Sequence, residues 1–247
     1  EVERQASKAG LIGQSLYENI DVNKLVRLID KGLAVIPKNI NGHSKPCGIG
    51  EGLKTKINAN IGSSTEMEDI DIELKKVDVL VKYGADAVMD LSTGSKLLEI
   101  RKAIRQKTNI PLGTVPIYQA GVETRNSGEA IVDMDEDLIF KVITEQAKEG
   151  VDFITVHCGI TKDSIQSVKD SERIMGIVSR GGALTAAWIM HNEKENPLHG
   201  SFFCSRCCAC NQYGPVCPWL SLHVGYDCFD VERYERVYVY FSRSRHV

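Results

Sequence analysis

The residues best suited to chemistry in this sequence form the run Ser179-Arg180-Gly181-Gly182. Small residues let backbone N–H groups approach an anion, and the helix that follows would present its positive N-terminus. An arginine beside them can pair with a phosphate group through two hydrogen bonds. The run therefore predicts a phosphate site at the start of a helix, and a plain strand-to-helix turn is the alternative.

Four further residues stand at or near the ends of apolar, β-rich runs: Asn60, Met89, Tyr118 and His157. Core packing does not require polar groups at these places. If the strands are parallel, their ends meet at one edge, where binding sites of βα proteins form. Their convergence predicts a functional site at this edge, and we assign a catalytic role to none of them. The alternatives are a helix cap for Asn60, core filling for Met89 and a packed aromatic for Tyr118.

His157 is followed directly by Cys158, which raises the alternative of an acid–base or thiol pair. Adjacent residues of a strand point to opposite faces, so the two side chains should not meet. Cys158 is therefore expected to be structural.

Strands alternate with amphipathic helices between residues 55 and 182, which predicts right-handed βαβ crossovers and a parallel sheet. Helical spacing of Ile70, Leu74, Val77 and Val81 predicts the first of these helices, and Asp135 is a predicted N-cap. The predicted strands lie in the runs 56–62, 87–92, 113–118, 153–158 and 176–182.

The fold class predicted from this pattern is α/β, an incomplete (β/α)8 TIM-type barrel. Asn60, Met89 and Tyr118 follow one another at intervals of 29 residues, and such regularity favours a barrel over a doubly wound sheet. A closed barrel needs eight units, whereas about five are found here. The predicted domains are a helical and extended lead (1–54), a partial barrel (55–199) and an unrelated tail (200–247).

The 247 residues carry a net charge of −3 and 43% hydrophobic residues, as an ordinary globular protein does. Near-neutral charge gives no reason to expect nucleic acid or an anionic membrane as a partner. No apolar run approaches the roughly 20 residues of a spanning helix. Since the N-terminal residues do not resemble a targeting peptide, we expect a cytoplasmic protein.

The tail differs in composition from the rest of the chain. It contains six of the eight cysteines and ten of the sixteen aromatic residues, but no lysine. Cys204, Cys207, Cys210 and Cys217 approach, without matching, the spacing of a ferredoxin cluster motif. Zinc or iron–sulfur binding is one alternative, and an evolved tail of unknown purpose is another. The sharp change near Gly200 favours a coding-frame slip or another non-homologous extension, so no metal ligand is assigned.

Several strings in the chain resemble the phosphomethylpyrimidine synthase family of thiamine biosynthesis. The resemblance covers about residues 8 to 198, and the matching strings stand in the family's order. They are VIPKNIN (35–41), GIGEGLKTKINANIG (48–62), GADAVMDLSTG (84–94), PLGTVPIYQA (111–120), QAKEGVDFITVHCG (146–159), IVSRGG (177–182) and HNEKENPL (191–198).

The resemblance implies a (β/α)8 barrel that binds aminoimidazole ribotide, a small-molecule substrate. This 5-aminoimidazole ribotide would be rearranged to 4-amino-5-hydroxymethyl-2-methylpyrimidine phosphate, with release of formate and carbon monoxide. It also implies S-adenosylmethionine, a 4Fe-4S cluster and zinc as cofactors, and it leaves a homodimer open. The residues that would line the ribotide pocket are those already selected, namely Asn60, Met89, Tyr118, His157, Ser179, Arg180 and Gly181.

After Leu198 the family's later motifs are missing from this sequence: an Asp-Gly-Leu-Arg loop, a glutamate loop, two zinc-binding histidines and a Cys-x2-Cys-x4-Cys cluster motif. We therefore expect a chain that carries the substrate-binding residues and is inactive alone. A non-catalytic fragment that binds a phosphorylated metabolite, or a barrel enzyme without radical chemistry, are the alternatives. Because five unclosed parallel strands leave open edges, we also expect poor solubility or dependence on a partner chain.

Overall fold

The computed structural model of the chain describes residues 11–39 and 41–199, together with the strands at 224–226 and 237–240. The remaining residues, including the four cysteines singled out in the tail, lie outside the described part. Within it, no helix combines the length and the apolar character needed to cross a bilayer.

The core of the architecture is a six-stranded mixed sheet with the order β3-β4-β5-β6-β8-β7. Its first four strands are parallel, and both strands from the end of the chain run antiparallel to their neighbours. The strands are β3 (Asn58–Ile61), β4 (Ala87–Asp90), β5 (Leu112–Thr114), β6 (Phe153–Val156), β7 (Val224–Tyr226) and β8 (Val237–Tyr240). The α/β class and a parallel run of βα units are therefore confirmed, while closure into a barrel stays a prediction.

Helices connect the parallel strands. The helices of the described residues are α1 (11–18), α2 (Val22–Asp30), α3 (Ile70–Lys82), α4 (Leu97–Lys107), α5 (Pro116–Asn126), α6 (Glu136–Lys148), α7 (Lys162–Lys169) and α8 (Arg180–Asn192). Asp135 caps α6 as predicted, because its side chain accepts a hydrogen bond from the N–H of Asp137 at 3.0 Å. The predicted helical lead corresponds to α2, and a short antiparallel pair follows it, β1 (Ala34–Val35) with β2 (Ile49–Gly50).

The prediction of a fifth parallel strand in 176–182 is wrong for the described residues. This segment has no strand pairing up to Ser179, and α8 begins at Arg180. The edge of β6 that such a strand would occupy is paired with β8, from Phe153 opposite Tyr240 to Val156 opposite Val237. Because each edge of a strand can pair with only one neighbour, segment 176–179 lies beside the sheet and not in it.

The third predicted run, 113–118, is also divided differently. Its strand is Leu112–Thr114, and Pro116 is the first residue of α5. Proline is well suited to this position because its fixed φ angle fits a helix and its missing N–H would have no partner there. Tyr118 therefore lies in the first turn of a helix and not at a strand end, and the 29-residue spacing does not mark equivalent positions.

The buried face of α3 is rotated relative to the prediction. The buried residues of α3 are Glu73, Val77 and Leu80, while Val81 is 46% exposed. Glu73 can be buried because its carboxylate accepts the N–H of Gly62 at 3.0 Å and pairs with the ammonium of Lys76 at 2.5 Å. Glu73 thus occupies the position on the buried face of α3 that hydrophobic spacing predicts for Leu74.

Two hydrophobic clusters hold the layers together. The larger one joins β4 and β6 to α5, α6 and α8, and includes Met89, Phe153 and Trp188. The smaller one packs α3 and α4 on β3, β4 and β5, around Val77, Ile100 and Ile104. The second cluster shows which face of the sheet points towards α3 and α4, namely that of Ile61, Val88 and Leu112.

A single buried carboxylate ties the lead to the sheet. Asp152, with no exposed surface, accepts hydrogen bonds from the N–H of Asn39 at 2.8 Å, the hydroxyl of Ser44 at 2.5 Å and the N–H of Leu112 at 2.9 Å. It also pairs with the guanidinium of Arg105, whose Nη2 donates to the carbonyl of Gly150 at 2.6 Å as well. These contacts join the lead, α4, β5 and the start of β6.

Replacing Asp152 by alanine should therefore lower the free energy of unfolding by at least about 3 kcal/mol, because it leaves the Arg105 guanidinium buried without its carboxylate. The measurement is urea unfolding followed by circular dichroism. The control is Asp133→Ala, which removes a half-exposed pair with His191 and should cost at most about 1 kcal/mol. Equal effects of the two variants would contradict the role assigned to Asp152.

Candidate functional site

The candidate site lies at the carboxyl edge of the parallel strands. Asn60 of β3 pairs in register with Met89 of β4, and Met89 pairs with Gly113 of β5. Register partners in parallel strands share a face, so Asn60 and Met89 are neighbours on the face opposite Val88 and Leu112. Asn60 is exposed, and Met89 is only 3% exposed.

Tyr118 and Arg180 meet although they come from two different helices. The guanidinium carbon of Arg180 lies 5.5 Å from the centre of the Tyr118 ring, within the range of a cation–π contact. Tyr118 is half-buried and packs against the same hydrophobic cluster that contains Met89, whereas Arg180 is exposed. The guanidinium thus lies against the ring, and because Arg180 is exposed its N–H groups can still bind a ligand.

The N-terminus of α8 has the form that an anion site requires. The Ser179 hydroxyl accepts the N–H of Gly182 at 2.9 Å and caps the helix. The N–H groups of Arg180 and Gly181 precede it in the first turn, where the helix itself supplies no acceptors. A bound anion would therefore meet two backbone donors, the positive end of the helix and the Arg180 guanidinium.

His157 lies directly behind this helix start. Its side chain is 4% exposed, and the ring is so close to Gly181 that a Cβ atom there would stand 2.1 Å from the imidazole Cε1. The carbonyl of His157 accepts the side-chain amide of Asn196 at 2.8 Å, and the same amide nitrogen donates to the carbonyl of Ile160 at 2.9 Å. Gly181 is therefore required for the imidazole to pack against α8.

Cys158 is separate from this arrangement and belongs to the hydrophobic core. It has no exposed surface, and burial raises the pKa of its thiol to about 11. The thiol therefore stays protonated at neutral pH, as expected of a structural cysteine and not of a nucleophile.

The seven predicted residues fall into two connected groups. At the start of α8, Arg180 contacts Tyr118, Gly181 contacts His157, and Ser179 caps the same helix. Asn60 and Met89 form the second group through strand register, and Met89 shares a hydrophobic cluster with Tyr118. The two groups thus belong to one edge of the sheet.

Sequence reasoning missed the buried polar residues that hold this edge from behind. Asp90 follows Met89, is 4% exposed, and accepts the N–H of Ser92 at 3.0 Å. Burial raises the pKa of the Asp90 carboxyl, an effect opposed by hydrogen bonds from the Ser92 side chain and backbone and by the charge of Arg101. Asn196 lies in one of the strings that resemble the family. Neither its residue type nor its spacing indicated that its side chain would bridge the buried carbonyl groups of His157 and Ile160.

The described residues do not supply a metal centre. They contain no group of three or more histidine, cysteine, aspartate or glutamate side chains placed to hold a metal ion. Their two cysteines, Cys47 and Cys158, are buried and have thiol pKa values raised to about 11, chiefly by burial. Neither is suited to bind a metal or a cluster as a thiolate.

The fold and the site define a βα protein with a candidate phosphate-binding helix start at the carboxyl edge of its parallel strands. The chain belongs to the Radical SAM ThiC family, whose model matches residues 6–213. This confirms the resemblance found in the sequence and extends it 15 residues beyond Leu198.

Curated relatives agree with this assignment. The chain is 73% identical over 185 residues to phosphomethylpyrimidine synthase 1 of Methanosphaera stadtmanae, an alignment that covers 75% of this chain and 43% of that protein. It is 59% identical to phosphomethylpyrimidine synthase 2 of Methanothermobacter thermautotrophicus over 75% of this chain and 44% of that protein. It is 54% identical to phosphomethylpyrimidine synthase of Methanococcus vannielii over 79% of this chain and 47% of that protein. The chain thus spans less than half the length of these relatives.

The contact between Gly181 and His157 can be tested by adding one methyl group. Gly181→Ala should displace the His157 ring and lower the free energy of unfolding by about 1–3 kcal/mol, because the new Cβ has no room. Gly13→Ala is the control, since a Cβ at this helical glycine meets nothing within 4 Å and alanine favours a helix by about 1 kcal/mol. Urea unfolding and the NMR signals of the His157 imidazole measure the two effects. An unchanged imidazole in Gly181→Ala would contradict the packing described.

Proposed function

We propose that this chain is the ribotide-binding portion of a phosphomethylpyrimidine synthase, an enzyme of thiamine biosynthesis. The complete reaction would convert 5-aminoimidazole ribotide into 4-amino-5-hydroxymethyl-2-methylpyrimidine phosphate with loss of formate and carbon monoxide. The membership of the family and the relatives' names support this proposal. The observation that carries it is the capped start of α8, where Arg180 rests on the ring of Tyr118.

Each site residue has a chemical role in this proposal. The phosphate of the ribotide would bind to the first N–H groups of α8 and to the Arg180 guanidinium, which suits an anion with several acceptor oxygens. Asn60 and His157 can hydrogen-bond to the polar edges of the imidazole and ribose, and Met89 can contact the ring. Tyr118 would hold Arg180 in place and offer its hydroxyl to the sugar.

The family name implies S-adenosylmethionine and, with it, an iron–sulfur cluster, while zinc is implied by the resemblance. The described residues do not fit these groups, because they present no cluster of metal ligands and their two thiols are buried. We therefore derive no step through the cofactors. The part that this chain can perform is binding, orientation and exclusion of water around the ribotide.

We further propose that the 247-residue chain binds the ribotide without turning it over. It would act in the cytoplasm on a small molecule, without nucleic acid or a membrane as partner. A homodimer is the assembly that the resemblance leaves open. The second candidate function is a non-catalytic fragment that binds phosphorylated metabolites in general. The family match over residues 6–213 favours this candidate over a different barrel enzyme that binds a phosphorylated metabolite without radical chemistry.

Binding is tested by titrating the chain with 5-aminoimidazole ribotide in a calorimeter. Arg180→Met should weaken binding by roughly 10- to 100-fold, because a charge-assisted hydrogen bond to phosphate contributes about 1.5–3 kcal/mol. Arg27→Met in α2 is the matched control and should bind like the wild type. Inorganic phosphate should compete weakly. Equal affinity of both variants would contradict the assignment of the phosphate site.

Turnover is tested by anaerobic reconstitution with iron and sulfide, followed by addition of S-adenosylmethionine and the ribotide. The chain alone should form no 5′-deoxyadenosine, whereas the full-length Methanosphaera stadtmanae relative, treated identically, serves as the positive control. Formation of 5′-deoxyadenosine by the 247-residue chain would refute the proposal that it is inactive alone.

A further inference from the structure

Helix α4 carries two buried arginines one turn apart, Arg101 and Arg105, with 4% and 8% exposure. Residues four positions apart lie on the same helix face, so both point into the space between α4 and the sheet. Arg105 binds Asp152 and Gly150, which stand just before β6 at the amino ends of the strands. Arg101 lies one turn nearer to the candidate site.

Arg101 connects to the first turn of α5 through a glutamine. Its Nη2 donates to the side-chain oxygen of Gln119 at 2.9 Å, and its Nη1 donates to Glu149 at 2.8 Å. The same Gln119 oxygen accepts the side-chain amide of Gln146 in α6 at 2.8 Å. Gln119 is 2% exposed, and its side-chain oxygen is held by two donors from two different helices.

The network continues to the ends of two strands. Gln146 accepts the hydroxyl of Thr114, the last residue of β5, at 2.6 Å. The Nε atom of Arg101 lies 3.9 Å from the carboxylate of Asp90, the last residue of β4. On its other side, the Gln119 amide donates to Glu123 at 2.8 Å, one turn along α5. We call Arg101, Gln119, Gln146 and Thr114 the rear network.

Gln119 directly follows Tyr118 in α5. Consecutive residues of a helix point about 100° apart, so fixing Gln119 against α4 and α6 fixes the rotation of α5 about its axis. That rotation decides where the Tyr118 ring stands, and the ring is the surface on which Arg180 rests. Buried polar side chains whose partners are removed cost free energy, which makes this rotation hard to change.

We infer that the rear network is a positioning device for the candidate site, which holds Tyr118 against Arg180 through Gln119. Arg101 and Gln119 touch no ligand in this scheme and act through Tyr118. The inference rests on the proposed function for its relevance to ribotide binding, but the contact that it explains exists without a ligand. The contacts of Arg105 with Asp152 and Gly150 are equally buried but lie at the opposite end of the strands. A substitution of Arg105 is therefore a matched control.

The test labels the full chain with 3-fluorotyrosine and records fluorine NMR spectra. The chain has eight tyrosines, and Tyr118→Phe identifies the Tyr118 signal by its loss. Arg180→Met defines the shift of that signal when the cation leaves the ring. Gln119→Met and Arg101→Met should move the Tyr118 signal in the same direction, whereas Arg105→Met should leave it in place. The double variant Gln119→Glu with Glu123→Gln keeps the accepting oxygen at position 119 and supplies the amide donor from position 123 instead, so it should restore the wild-type position.

Three results would overturn the inference: no movement in Gln119→Met, equal movement in Arg105→Met, or no response of the Tyr118 signal to Arg180→Met. Gln119→Met preserves side-chain length and decides the matter if Arg101→Met fails to fold. Calorimetry with 5-aminoimidazole ribotide on the same proteins should show about tenfold weaker binding in Gln119→Met and unchanged binding in Arg105→Met. If the wild type does not bind the ribotide, the proposed function fails, while the fluorine spectra still decide the positioning role.

Discussion

Parallel pairing of four strands is the constraint on which the rest of this structure depends. Because β3, β4, β5 and β6 run in the same direction, everything that follows them in sequence begins at one edge. The register that puts Asn60 beside Met89 is part of the same ladder of backbone hydrogen bonds. Residues almost a hundred positions apart in sequence, such as Asn60 and His157, therefore reach a common edge.

The sheet separates two kinds of polar chemistry. At the carboxyl edge, Arg180 and the start of α8 remain accessible and can bind an anion. Behind the sheet, Arg101, Gln119 and Asp152 are buried and hydrogen-bond to other protein groups. An exposed charge without an ionic partner costs little free energy because water solvates it. A buried charge must be paired. This difference explains why the accessible arginine is suited to binding and the two buried ones to support.

The sequence was informative where one physical effect dominates. Short apolar runs correctly located β3, β4 and β6, and a single aspartate correctly marked the start of α6. The prediction was wrong where a second effect competes. Pro116 can begin a helix as readily as it can end a strand, and Glu73 is buried only because Gly62 and Lys76 offset the free-energy cost of burying its charge. The contacts of the rear network could not be predicted, because the type and spacing of an arginine or a glutamine do not indicate which side chain of another helix it will contact.

The antiparallel pairing of β8 with β6 has a consequence for the growth of the sheet. All four residues of β6, Phe153 to Val156, have partners in β8. Another parallel strand could join there only by strand exchange, in which the incoming segment breaks that ladder while forming its own. Such an exchange would proceed through partly opened intermediates, so the rate of any assembly at this edge would be governed by the opening of β8 and not by diffusion.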